Sequence, residues 1–269
     1  MRAAILDLNN NVPNRSITYL RKMMQDFGVD YQLFDVRGKN EVPDAGFDCY
    51  ISSGGPGSPY DREGGWGDAY FRWIETIRDY NADPANARKK YVFFICHSFQ
   101  LACMHFQIGE VTNRGVKSFG TFPAYKTDAG ESEPFLSELP NPFWIADFRD
   151  WQVTGADENA LRDQGFKIIA IERPRKNPAY PRALMAIRFS KEMFGTQFHP
   201  EADADGMLHH FQEREKRLQL IEEQGMEKYL SMISDLEDPF KIELTFKSVL
   251  PAFMHQALNA QFATNHFSL

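Results

Sequence analysis

Apolar positions along the chain switch between two periods. Residues 3–8 form a run broken only by Asp7, which reads as a buried strand, and after Pro13-Asn14 the residues Ile17, Leu20, Met23, Met24 and Phe27 recur at helical spacing until Gly28. Residues 31–36 and 47–51 are the next two strands, the second running into Ser52-Ser53-Gly54-Gly55-Pro56-Gly57-Ser58-Pro59. An amphipathic helix follows over 66–80, and then the apolar strand 91–95. This alternation predicts an α/β fold: a central, mostly parallel sheet flanked by helices, with ligands bound beyond the carboxyl ends of its strands. The Gly-rich loop and Cys96 both fall at such ends.

The pattern changes over residues 116–198. Short strand-like runs at 119–125, 143–148, 166–172, 184–189 and 193–198 are separated by Pro, Gly and Asp clusters, which predicts antiparallel additions to the sheet. Beyond Asp205 the chain turns charged and helical, with Leu208, Phe211, Leu218, Leu220 and Ile221 among Glu, Lys and Arg, and a last helix near 250–263. No repeat or Gly/Ser-rich linker divides the chain, so the expected organisation is one main domain over 1–204 with a C-terminal helical extension over 205–269. That extension packs on the core or on a second subunit, as in a homo-oligomer; a partner-binding arm is the alternative.

Composition narrows the partners. A chain of 269 residues with 43% hydrophobic content has enough apolar material for one large core, while 30 basic against 37 acidic residues, a net charge of -7, disfavours a nucleic-acid or anionic-membrane surface. A small solute is the expected partner. Asp7 breaks the N-terminal apolar stretch, and no apolar run approaches the roughly 20 residues that span a bilayer. Cys49, Cys96 and Cys103 are odd in number and lack Cys-x-x-Cys spacing, which points away from disulfides and structural zinc and toward a reduced, cytoplasmic protein.

The chemistry gathers around one cysteine. In Phe93-Phe94-Ile95-Cys96-His97-Ser98-Phe99-Gln100 a strand runs directly into Cys96 and a helical pattern begins behind it, a geometry that projects the sulfur and offers helix N–H groups to an oxyanion. About a hundred residues later, His199-Pro200-Glu201 supplies a base and an acid two residues apart, with the residue before Pro200 held extended. Cysteine, histidine and carboxylate are the minimal set for thiolate catalysis.

Together these residues resemble the class I glutamine amidotransferase family, in which a Gly-x-Cys-x-Gly-x-Gln turn, a Gly-Pro-Gly loop and a His-Pro-Glu signature recur, and most of all the amidotransferase portion of GMP synthase. The likeness covers roughly residues 1–204 and implies a flavodoxin-like fold. By that resemblance Cys96 attacks the side-chain amide of glutamine, His199 is the base that later protonates the leaving ammonia, and Glu201 orients it. The N–H groups of Gly55 and His97 would form the oxyanion hole, and Gln100 would help hold the substrate. No cofactor is implied, and the ATP-using half of any synthetase would be another polypeptide. A freestanding γ-glutamyl amide hydrolase and a catalytically weak binding or regulatory protein are the rival expectations.

This sequence departs from the family at Phe94 and Ser98, where the family has glycines. A benzyl group at 94 must find space beneath the turn or rotate the strand. Two further resemblances carry less: Ser53-Gly54-Gly55-Pro56-Gly57-Ser58 is similar to an ATP-pyrophosphatase loop but has Gly57 in place of its Asp. Glu201-x-Asp203-x-Asp205-Gly206 opens like a calcium loop but has Gln212 at the twelfth position, so it reads as a helix start with no metal.

Overall fold

The structure, a computed structural model, describes residues 1–175, 177 and 179–265, with side chains described as far as residue 261. Nine strands form one mixed sheet: β1 (Arg2–Asp7), β2 (Asp30–Asp35), β3 (Cys49–Ser52), β4 (Tyr91–Ile95), β5 (Glu110–Lys126), β6 (Phe143–Thr154), β7 (Lys167–Glu172), β8 (Leu184–Arg188) and β9 (Met193–Thr196). Their order is β2-β1-β3-β4-β9-β8-β7-β5-β6. The first five are mutually parallel, and from β9 onward each neighbour pairs antiparallel. The antiparallel additions fall where the sequence places them, with one difference: β9 closes the parallel half against β4 as well as opening the antiparallel half against β8. That double role brings His199, just past β9, beside Cys96, just past β4.

Strands β3, β4 and β9 are buried at every position, as strands covered on both faces must be. Side chains alternate between two cores. Ala3, Ile5, Phe93, Ile95 and Phe194 face one side, with helices α1 (Arg15–Asp26) and the C-terminal helix; Ala4, Leu6, Val92 and Phe94 face the other, with Trp73, Ile77, Phe99 and Leu101 from the helices after β3 and β4. Helix α1 starts where Asn14 accepts from the Ser16 N–H, and it is followed by Gly28 at φ +63°. The remaining helices are α2 (Val36–Lys39), α3 (Trp66–Ala82), α4 (His97–His105), α5 (Asp128–Glu131), α6 (Glu158–Asp163), α7 (Ala204–Gln212), α8 (Arg214–Gln224), α9 (Met226–Glu237) and α10 (Ile242–Asn265). No helix among the described residues is long and apolar enough to cross a membrane.

Two segments differ from expectation. Strands β5 and β6 are longer than the runs at 119–125 and 143–148, because a bulge between Asn113 and Ser118 interrupts the alternation that would have shown the first half of β5. Helix α10 begins well before residue 250 and continues through Pro251. Its Val249, Leu250, Phe253, Met254 and Ala257 are core residues, with the Phe253 ring 5.2 Å from that of Phe93. Between them, α7, α8 and α9 bury Met207, Phe211, Leu220, Tyr229 and Met232 in a third cluster against Phe119 and Phe148 of the hairpin.

Candidate active site

At the carboxyl end of β4 the chain turns sharply into α4, and Cys96 occupies the turn with φ 51° and ψ −99°. A left-handed backbone costs a non-glycine residue about 1–3 kcal/mol and persists only where its surroundings impose it. Here they do. The Cys96 N–H donates to Thr196 O at 2.8 Å, and the Gln100 N–H donates to Cys96 O at 3.0 Å. Ser98 Oγ accepts the Ile95 N–H at 2.7 Å and donates to Ser52 O at 2.7 Å, tying the turn to the end of β3. The sulfur thus stands at the N-terminus of α4, where the first helical N–H groups have no partner within the helix.

The base comes from the loop after β9. The His199 N–H donates to Ala146 O at 3.0 Å, which pins the segment to β6. His199 Nδ1 lies 2.8 Å from Glu201 Oε1, and the Cys96 sulfur is close enough to act on the ring. Burial alone would push the imidazole down, but the Glu201 carboxylate and the Cys96 sulfur outweigh it and hold the ring well above its ordinary value. The structure therefore brings together Cys96, His199 and Glu201 in that order. His199 and Glu201 both lie beyond the end of β9 and meet across a turn in which the Ala202 N–H donates to His199 O at 3.2 Å.

The glycine loop closes the opposite wall. A Cβ on Gly54 would stand 2.9 Å from His199 Cε1 and 3.5 Å from Cys96 Cβ, and one on Gly55 would run into Leu8 O. Side chains are excluded there by His199 and Cys96 and by the end of β1. Arg37 anchors the loop from behind, donating to Pro56 O at 2.6 Å and to Leu8 O at 3.3 Å. Gly55, Cys96, His97, Gln100, His199 and Glu201 all border one cavity of about 440 Å³. The His97 ring is buried, pushed down to about 3 by that burial and by the Arg37 charge, and its Nε2 has no hydrogen-bond partner. A neutral ring in that position leaves the backbone N–H as the group it presents. Gln100 is held on the scaffold: its Nε2 donates to Trp151 O at 3.2 Å and to Gln197 Oε1 at 3.1 Å.

Several residues at the site gave no clear signal in the sequence. Ser16, in the first turn of α1, donates to Glu201 Oε1 at 2.7 Å. Gln197 reaches the sulfur itself, with Nε2 3.7 Å from Cys96 Sγ. Its place two residues before His199 was the only hint. Asp203, in the calcium-like run, accepts the Gly206 N–H at 2.9 Å and caps α7.

Across residues 12–215 the sequence matches the family model for glutamine amidotransferase class-I. The chain belongs to the class I glutamine amidotransferase family. No curated protein matches it by sequence. Among solved structures, a glutamine amidotransferase from Thermotoga maritima superposes with a TM-score of 0.68 at 13% identity, covering 95% of this chain and 97% of that one. A glutamine amidotransferase from Methylobacillus flagellatus gives 0.63 at 15%, covering 94% and 93%. The glutaminase domain of Trypanosoma brucei CTPS, solved with bound acivicin, gives 0.52 at 16%, covering 74% and 86%. At such identities the likenesses show a shared class I amidotransferase fold.

Set against the class I amidotransferase pattern, the two substituted glycines are each accommodated. Phe94 is fully buried, its ring 6.3 Å from Trp73 and 5.7 Å from Phe189, and the residue paired with it on β9 is Gly195. The vacancy of one side chain admits the other. Ser98 adds a hydroxyl that bonds on both sides of the turn, so the left-handed conformation at Cys96 is kept without either glycine.

Proposed function

We propose that the chain hydrolyses a γ-glutamyl amide, glutamine foremost, through a thioester on Cys96. The single observation that carries this is the convergence of Cys96, His199 and Glu201 on one cavity, with His199 Nδ1 2.8 Å from Glu201 Oε1. A protonated imidazole is the partner that a thiolate nucleophile needs.

Cys96 Sγ attacks the amide carbon, and the carbonyl oxygen becomes an anion facing the N–H groups of Gly55 and His97. The C–N bond breaks as His199 gives its proton to the nitrogen, releasing ammonia and leaving a thioester. Water then attacks the thioester carbon, its proton passes to His199, and glutamate departs as the sulfur regains its charge. Glu201 keeps the imidazole in register throughout, and Gln100 offers its oxygen to the substrate. Residues 1–204 supply every reacting group, while the extension adds Met207 and His210 to the cavity wall. The proposed setting is cytoplasmic, with the ammonia either released or handed to a separate synthetase.

A second reading shares this chemistry. The cavity continues past the triad to Asn9, Val12, Arg15 and His210, which leaves room for a substituent on the amide nitrogen, as in a freestanding γ-glutamyl amide hydrolase. Ammonia and glutamate release from glutamine by the purified chain, with Cys96→Ala as control, tests the leading reading. Release that vanishes in the variant supports it; no release from glutamine but turnover of N-substituted γ-glutamyl amides favours the second. Inertness toward both, with no labelling of Cys96 by a glutamine-like electrophile, overturns both.

A further inference from the structure

We propose that Gln197 is a catalytic residue: its carboxamide donates a hydrogen bond to Cys96 Sγ and holds the negative charge on sulfur, in an orientation dictated from the far end by the backbone carbonyl of Trp151. This deepens the preceding reading and rests on one part of it, that Cys96 is the nucleophile.

The two ends of a glutamine carboxamide look alike in shape, and only the hydrogen-bond network says which atom points where. Here the network leaves no choice. Trp151 O is a backbone carbonyl and can only accept, so the Gln100 atom 3.2 Å from it is the NH2 group. That same nitrogen lies 3.1 Å from the Gln197 carboxamide, whose facing atom must then be the accepting oxygen. With its oxygen turned to Gln100, Gln197 turns its NH2 toward Cys96 Sγ, 3.7 Å away. Gln197 itself is fully buried, and its backbone N–H is tied to Met185 O at 2.8 Å, so the side chain has no solvent alternative.

A donor fixed in a water-poor site favours the charged form of whatever it faces. The bond is strongest when sulfur carries charge, which happens twice in the cycle: before attack, and again when sulfur leaves the thioester carbon. Between those moments His199 gives its proton to the leaving nitrogen and takes one back from water. Gln197 keeps its protons throughout. The arrangement also explains why Gln100 has only its oxygen to offer a substrate, since its nitrogen is committed to the relay.

The test is the pH dependence of Cys96 alkylation by iodoacetamide, read alongside steady-state glutamine hydrolysis. Gln197→Met keeps the length and volume and removes the donor; alkylation at about pH 6 should slow roughly tenfold and its midpoint rise by about one pH unit. The kcat should fall by a similar factor with KM within about twofold, a split that loss of packing alone would not give. A folded Gln197→Met whose alkylation midpoint matches wild type overturns the proposal. Gln197→Asn, which withdraws the amide from the sulfur, reads the same way should the Met variant fail to fold. In wild type, the Gln197 side-chain amide proton should shift with the alkylation midpoint, and a resonance flat across that range also overturns it. Alkylation needs no amide substrate, so a chain that alkylates normally yet leaves glutamine intact tells against glutamine as substrate and not against Gln197.

Discussion

Phe94 and Gly195 stand opposite each other on β4 and β9, and a Cβ placed on Gly195 would lie 3.1 Å from the Cβ of Phe94, with the Phe99 and Phe189 rings at 3.0 and 3.1 Å. One position lost its small residue and the neighbouring strand supplies the missing space. Gly195→Ala should therefore destabilise the protein by about 1–3 kcal/mol through overpacking. Phe94→Ala makes a cavity, but in the double variant the two costs should add to less than their sum, because the Phe189 ring that the new methyl presses can shift into the space the Phe94 ring leaves. Urea unfolding of the four proteins measures the coupling.

Gly54 touches the reaction more directly. Its backbone has an ordinary φ, so Gly54→Ala should fold, yet the new methyl would press on His199 Cε1. A displacement of about 1 Å at a reacting group costs about a hundredfold in rate. The expected result is a loss of that order in kcat with an unchanged melting temperature, read by glutamine hydrolysis and thermal denaturation.

The Ser16 hydroxyl and the His199 imidazole share one oxygen of Glu201, and the second oxygen, Oε2, is buried without a hydrogen-bond partner. Ser16→Ala removes a bond to a charged group, worth about 1.5 kcal/mol or more. Glu201 is then held by His199 alone and can rotate. A kcat about tenfold lower with KM little changed is expected, and Ser16→Thr, which keeps the hydroxyl, should recover most of it.

Much of this was readable from the chain. The cysteine turn, the His-Pro-Glu run, the glycine loop and the parallel strands announce themselves because each depends on a local pattern: an apolar run, a turn residue, a fixed spacing. What stayed hidden depends on distant partners. Ser16 and Gln197 are ordinary helix and loop residues until the fold sets them against Glu201 and Cys96. The space for Phe94 comes from Gly195, about a hundred positions away, and no window of sequence connects the two. Helix α10 starts earlier than the expected 250–263 and runs through Pro251, a residue type that commonly ends a helix, because its packing against β4 and β9 outweighs that local preference.

A buried charge cluster around Glu172 ties part of the fold's stability to pH. Burial would raise the Glu172 carboxyl, but Arg149 at 3.3 Å and Arg114 at 2.8 Å bring it down to about 2 from its ordinary 4.5. A carboxylate lowered in the folded state stabilises above its unfolded value and loses that contribution as pH falls toward the folded one. The stabilisation, on the order of 3 kcal/mol, should be complete above about pH 4.5 and gone near pH 2. Glu172→Gln leaves Arg114, Arg149 and Arg175 facing a neutral group, so it should be destabilised at pH 7 and approach wild type as the acid is titrated. Urea midpoints across that pH range check the convergence.

The order in which α10 enters the fold bears on how the chain survives its own synthesis. A growing polypeptide holds Cys96, His199 and Glu201 well before residues 242–261 exist, yet without them Tyr91, Phe93 and Phe194 lack the helix that covers them. During that interval the nascent protein has Cys96, His199 and Glu201 together with an open apolar sheet, the kind of surface that recruits chaperones or nucleates aggregates. Arrival of a helix that lines no part of the Cys96 cavity is what ends the hazard.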